Sequence, residues 1–155
     1  MFVSTKTYTH AQGLSCAFRQ WRADSHCRFI HGYALQIRVE FECEDKMLNQ
    51  NNWVVDFGSL KPFKERLENL FDHKLLVAAD DPKRDVLEKL ASEGLCSIQI
   101  VQATGCESFA YLVASIAHQF LRSTRQTHRV RVRAVEVCEH GGNSARYEPD
   151  HVRQP

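Results

Sequence analysis

Cys27-Arg28-Phe29-Ile30-His31-Gly32-Tyr33 sets a thiol four residues ahead of an imidazole, with a phenol two residues further on. A thiol becomes a base or nucleophile once it loses its proton, and a nearby imidazolium favours that loss. Asp72-His73 offers a second pair, a carboxylate directly beside an imidazole. Taken alone, that pair reads as a histidine at a helix C-terminus next to a surface aspartate.

The elements that must position these groups follow from periodicity. From Tyr33 onward the chain alternates: Tyr33, Leu35, Ile37, Val39, Phe41 and Cys43 on one face, and Ala34, Gln36, Arg38, Glu40, Glu42 and Glu44 on the other. A period of two predicts a half-buried strand over 31–44, with His31 and Tyr33 both turned to its buried side. Residues 3–18 predict a first strand bent near Gly13, and Trp53 to Phe57 a short strand after a polar loop. Leu60, Phe63, Leu67, Leu70 and Phe71 recur at helical spacing, with Ser59 as cap and Pro62 in the first turn, so Asp72-His73 falls where this helix ends. A shorter helix runs from Asp81-Pro82 to Gly94, an extended connection holds Ile98 and Ile100, and residues 105–122 predict a strong helix. The last strand is Arg129 to Glu139, broken by Gly141-Gly142. Helices that alternate with strands only after a long hairpin predict an α+β fold: an antiparallel four-stranded sheet with two main helices on one face.

Composition narrows the function classes. The chain has 155 residues, 43% apolar and 25% charged, which suits one domain over 1–155 with a real core. A net charge of +1 makes no electrostatic case for nucleic acid or an anionic membrane. No apolar run nears the roughly 20 residues that span a bilayer, and the N-terminus lacks the apolar region of a signal peptide, so a cytoplasmic protein is expected. The six cysteines include no Cys-x-x-Cys pair, which argues against a zinc knuckle or thioredoxin-like motif and for mostly inert free thiols.

Four signals stand in order along the chain. They are Cys27 with His31-Gly32-Tyr33, then Trp53-Val54-Val55-Asp56-Phe57-Gly58-Ser59-Leu60-Lys61, then Phe71-Asp72-His73-Lys74-Leu75-Leu76, and last Val135 to His140 followed by Tyr147. In this order and at these separations they resemble the 6-pyruvoyltetrahydropterin synthase / 6-carboxytetrahydropterin synthase family, from about residue 8 to residue 148. The resemblance implies a catalytic base at Cys27 and a proton relay at Asp72 and His73. The relay is physically sensible, because a carboxylate fixes the tautomer of an imidazole and stabilises its charge. It also implies that Glu139 grips the pterin. A carboxylate can accept two parallel hydrogen bonds from the 2-amino group and ring N–H of such a heterocycle. On its own Glu139 is a strand-end acid in solvent. Thr104-Gly105-Cys106-Glu107 lies where the family carries a Thr-x-Glu segment that opens a helix and lines the same pocket, which makes Thr104 and Glu107 candidate substrate contacts; Thr104 or Gly105 equally serves as a cap.

The family holds Zn²⁺ with three histidines, one from the first strand and two from His-Gly-His. Here His31 matches, but the other two positions fall on Gln12 and Tyr33. An amide oxygen is a poor zinc ligand, and a phenol must lose a proton of pKa about 10 to serve. Ligand preference therefore leans against a bound metal. The alternative is a site rebuilt with His10, His26 or His140.

The resemblance thus implies a lyase acting on 7,8-dihydroneopterin triphosphate or a close relative. If it is of the 6-carboxytetrahydropterin synthase type, it feeds queuosine and deazapurine synthesis. A divergent member that binds a pterin or purine and does other chemistry, or none, is the alternative. The family's tunnelling fold further implies a homo-oligomer, trimer or hexamer, with sites between subunits. A small sheet with exposed edges points the same way.

Overall fold

A computed structural model describes residues 1–149; the expected domain over 1–155 ends with residues that lie outside them. In chain order the elements are β1 (Phe2–Tyr8), β2 (Ser15–Phe18), β3 (His31–Ala34), β4 (Gln36–Cys43), α1 (Lys61–Phe71), β5 (Lys74–Ala78), α2 (Arg84–Ser92), β6 (Ser97–Val101), α3 (Cys106–Ser123), β7 (Arg131–His140) and β8 (Asn143–Tyr147). The fold is α+β. One sheet is four-stranded and antiparallel, in the order β1-β4-β7-β8. The second, in the order β3-β2-β5-β6, is mixed: β3 runs antiparallel to β2, while β2, β5 and β6 are parallel.

The two long strands expected over 3–18 and 31–44 are each broken into a pair that belongs to different sheets. The first breaks at a 3₁₀ turn, His10–Gln12, closed by Gly13 at φ 77°. The second breaks at Leu35. The corners are tied together, because the Leu35 amide donates to the Leu14 carbonyl at 2.9 Å and both side chains are buried. Alternation persists across Leu35 because both sheets turn one face to a common core. Cys16, Phe18 and Leu76 from one sheet meet Ile37, Val39, Phe41, Val135 and Val137 from the other, with Phe63, Phe71, Phe109 and Phe120 of α1 and α3 between them. Helix α2 covers the other side of the second sheet through Leu87 against Leu75 and Val77.

Trp53 to Phe57 is not a strand. Its carbonyls are satisfied locally instead of by a ladder: the Asn49 amide donates to the Trp53 carbonyl at 3.0 Å and Arg129 Nη1 to the Val54 carbonyl at 2.8 Å. Asp56 then caps a 3₁₀ turn by accepting from the Gly58 amide at 2.9 Å. That turn feeds directly into α1. Strand β5 was hidden because Leu75, Leu76, Val77 and Ala78 are all buried, and a strand covered on both faces shows no alternation.

The outward face of the antiparallel sheet carries an ion-pair lattice. Glu40 and Glu42 are 7% and 5% exposed. Arg146 grips Glu40 with two bonds of 3.0 and 2.7 Å, Arg131 holds Glu42 at 2.6 Å, and Arg38 and Arg133 complete the set. These guanidinium hydrogen bonds hold the Glu40 carboxyl below the usual carboxylate range against the opposing effect of burial.

Candidate active site

The segment from β2 to β3 carries the thiol. Cys27 sits in a 3₁₀ turn, His26–Arg28, capped by Ser25, and its carbonyl accepts from the Gln20 amide at 2.9 Å. It is half-buried and lines an open groove of 410 Å³ with Gln20, Trp21, Ala78 and Thr104. Burial pushes the thiols of Cys16 and Cys106 up to about 12 and raises that of Cys138, so these three are not thiolates near neutral pH.

Strand β3 then presents His31 and Tyr33 as expected. Their rings meet edge to face at 5.6 Å, and both pack on Phe18, at 5.0 and 6.2 Å. Gly32 between them has a steric reason. A Cβ there would stand 2.8 Å from the Cys16 carbonyl of the paired strand β2. His31 Nδ1 donates to the Phe29 carbonyl at 2.8 Å, which leaves Nε2 as the acceptor of a neutral ring.

Glu139 comes from the far end of β7. The register between β7 and β8 shifts between Cys138 and His140, and such a bulge re-aims side chains. Glu139 is half-buried, and its charge adds to burial in raising the pKa of the Cys106 thiol at the first residue of α3. A helix N-terminus favours a negative charge there. Tyr33 stands within reach of this group. Burial first, then the charges of Glu139, Cys27 and Cys106, raise its phenol pKa, so it is held protonated. His140 follows with its ring 6.1 Å from that of Tyr33. His31, Tyr33 and His140 thus pack together beside Phe18, and Cys27, Cys106 and Glu139 are near enough for their charges to act on the Tyr33 phenol.

Thr104 turns inward on the protein: its hydroxyl donates to the Arg19 carbonyl at 2.6 Å and ties the approach to α3 to the end of β2. Gly105 caps α3 at φ 110°, where its missing side chain leaves room for the Gln20 amide. Glu107 is exposed in the first turn of α3.

Asp72 and His73 form their expected pair at 2.9 Å, Nδ1–H donating to Oδ1. His73 takes the left-handed backbone, φ 55°, and its amide donates to the Ser15 carbonyl at 2.7 Å. Its side chain is 87% exposed and lines a different groove, of 580 Å³, with Ser15, Gly32 and Ala34 at the β3 edge of the second sheet. Among the described residues no hydrogen bond or ion pair links Cys27 to this pair. Cys27 and His73 line different grooves of the chain.

The three metal positions do not form a ligand set. Gln12 is exposed, and its carboxamide oxygen accepts from the Thr9 amide at 2.7 Å. His10 lies in the same 3₁₀ turn, not on a strand face with Gln12, and its Nδ1 bonds the Ala34 carbonyl. Tyr33 is held as the neutral phenol. Among the described residues no three His, Cys, Asp or Glu side chains are grouped to hold a metal ion. The donors present do not fit a three-imidazole zinc centre. His140 packs on Tyr33, a contact between strands distant in sequence that residue spacing does not signal. No helix among the described residues is long and apolar enough to cross a membrane.

A family model described as 6-pyruvoyl tetrahydropterin synthase matches residues 7–150. An uncharacterized protein from Wolinella succinogenes is similar in structure over 96% of this chain and 98% of its own, at 19% identity and a TM-score of 0.78. The 6-pyruvoyl tetrahydropterin synthase of Plasmodium falciparum is similar over 95% of this chain and 98% of its own, at 12% identity and a TM-score of 0.64. That of Caenorhabditis elegans is similar over 96% and 94%, at 14% identity and a TM-score of 0.57. At these identities the likeness shows the fold.

Proposed function

This chain belongs to the 6-pyruvoyl tetrahydropterin synthase family, a membership that supports a pterin-processing, lyase-type function, and we propose that it acts on 7,8-dihydroneopterin triphosphate or a close relative. The observation that carries the reading is the packing of His31, Tyr33 and His140 together beside Phe18, with Glu139 and Cys27 near enough for their charges to act on the Tyr33 phenol. Glu139 accepts the 2-amino and ring N–H groups of the pterin. Cys27, as thiolate, removes a proton from the carbon beside the ring. The electron pair passes into the ring C=N bond, N5 takes a proton, and the enol so formed becomes a ketone at that carbon. Loss of the proton from the next carbon, acidic beside the ketone, then expels the triphosphate from the third, and His73, oriented by Asp72, returns protons where charge develops. Thr104 lines the Cys27 groove and holds its loop, and Glu107, exposed in the first turn of α3, is a further substrate contact.

The product distinguishes two finer readings, a 6-pyruvoyl or a 6-carboxytetrahydropterin. The second corresponds to the queuosine and deazapurine route. Completion of the site by a second copy of the chain accounts for the separation of Cys27 from His73. Both outer strands of the antiparallel sheet, β1 and β8, have an open edge, and exposed Phe2, Val3, Trp53 and Phe57 line a 420 Å³ groove beside β1. A trimer or hexamer is the proposed assembly. The altered donor set at Gln12 and Tyr33 is the one observation that favours the second reading, a divergent member that binds a pterin or purine and does other chemistry or none.

Equilibrium binding of pterins, followed by their fluorescence, tests the recognition half of the proposal. Micromolar or tighter binding that Glu139→Gln weakens supports it, and no binding by the native protein overturns it.

A further inference from the structure

The side chains left where zinc does not fit have hydrogen-bonding roles that the backbone fixes. Because His31 Nδ1 donates to the Phe29 carbonyl, its Nε2 offers a lone pair. His140 has the opposite tautomer: its Nδ1 accepts from the Gly142 amide at 3.1 Å, so its proton lies on Nε2. The Tyr33 phenol lies between these two rings, 5.6 Å from one and 6.1 Å from the other. Among the described residues nothing takes up its hydroxyl hydrogen, and burial together with the charges of Glu139, Cys27 and Cys106 keeps that hydrogen on. An acceptor and a donor therefore stand side by side on one strand.

We propose that His31 and Tyr33 form a metal-free grip on the hydroxylated side chain of the pterin. His31 Nε2 accepts from one side-chain hydroxyl, and the Tyr33 hydroxyl donates to a neighbouring oxygen. A vicinal diol, whose hydroxyls both donate and accept, matches this pair. A Lewis acid would need lone pairs from all three positions, and Tyr33 supplies a proton in place of one. His140 packs on the open side of Tyr33 and positions it. The inference rests on the pterin reading above and specifies how that site selects its ligand.

The test uses two probes that share a ring and differ in the side chain: 7,8-dihydroneopterin, which carries hydroxyls, and 6-methyl-7,8-dihydropterin, which carries none. Affinities are measured by fluorescence titration on protein treated with a chelator, and again with added Zn²⁺. The chelated native protein is expected to prefer the hydroxylated probe by about fivefold to tenfold, the effect of one or two neutral hydrogen bonds. Tyr33→Phe is expected to erase that preference and leave binding of the methyl probe unchanged. If Tyr33→Phe does not fold, His31→Asn reads the same preference. A preference that appears only with Zn²⁺, or that survives both substitutions, overturns the proposal. Binding of the methyl probe without any preference overturns it while leaving the pterin reading intact, whereas binding of neither probe overturns both.

Discussion

His73 donates its Nδ1–H to Asp72 across 2.9 Å, yet its ring is 87% exposed and turned into a groove that Cys27 does not line. We propose that a pair so well oriented and so far into solvent is completed as a relay by a second copy of the chain. If a neighbouring copy supplies the thiol, Cys27→Ala and His73→Ala each lower turnover at least about 100-fold. Mixed after unfolding and refolding together, the two inactive variants regain part of the lost activity, because some sites then combine an intact Cys27 with an intact His73. A mixture as inactive as its parents, beside a native control that refolds fully, contradicts completion between copies.

Glu139 is expected to be the largest single contributor to ring recognition. Glu139→Gln keeps the size of the side chain and removes its charge. Pterin affinity should fall about 10-fold to 100-fold, the range of a lost charge-assisted pair. Circular dichroism should be unchanged, because Glu139 lies at a bulge where ladder bonding is already interrupted.

Much of this arrangement could be anticipated from the chain, and the failures have physical causes. Cys27, Asp72 and Glu139 were visible as types at fixed separations, and α1 and α3 as apolar stripes. The corner at Leu35 was invisible because Leu35 continues the alternation of Tyr33 and Ile37 while the chain changes sheets. Only the pairing of Leu35 with Leu14 reveals it. Strand β5 was lost for the opposite reason, burial on both faces. Trp53 to Phe57 looked extended because Val54 and Val55 are apolar, but both are buried in succession, which a strand with one covered face does not allow. The packing of His140 on Tyr33 depends on two strands that are distant in sequence, and no local spacing reports it.

Tyr8 gives a stability prediction that is independent of function. Its ring is buried against Phe63, and among the described residues its hydroxyl has no hydrogen-bond partner. Burial raises its phenol pKa above the usual range. Tyr8→Phe removes an unsatisfied polar group and should stabilise the fold by about 1 kcal/mol, read as a higher midpoint of urea unfolding. A midpoint that falls shows that the hydroxyl is satisfied in the assembled protein.

The lattice around Glu40 predicts acid sensitivity. The folded pKa of Glu40 lies below its unfolded value, so its contribution is present above the unfolded carboxylate pKa and is lost as pH falls through the folded one. Unfolding free energy should therefore decline below about pH 4. Glu40→Gln should shrink that decline. Arg146→Ala, which leaves Arg38 and Arg133 on Glu40, should cost about 2 kcal/mol at pH 7. An identical acid profile in Glu40→Gln and native protein contradicts the assignment.

Gly32 should resist replacement. An alanine Cβ would press on the Cys16 carbonyl at 2.8 Å and force β3 from β2, moving His31 and Tyr33 with it. Gly32→Ala is expected to cost about 1–3 kcal/mol and to weaken binding of hydroxylated pterins more than its stability loss explains. A variant of native stability and affinity shows that the edge strand yields freely.

The most direct measurement is the mass of the products after purified protein is incubated with 7,8-dihydroneopterin triphosphate, beside a Cys27→Ala control. The account predicts loss of the triphosphate and a tetrahydropterin bearing a pyruvoyl or carboxy group at position 6, formed by the native protein and not by the control. Unchanged substrate with the native protein, or equal turnover by the Cys27→Ala variant, contradicts it.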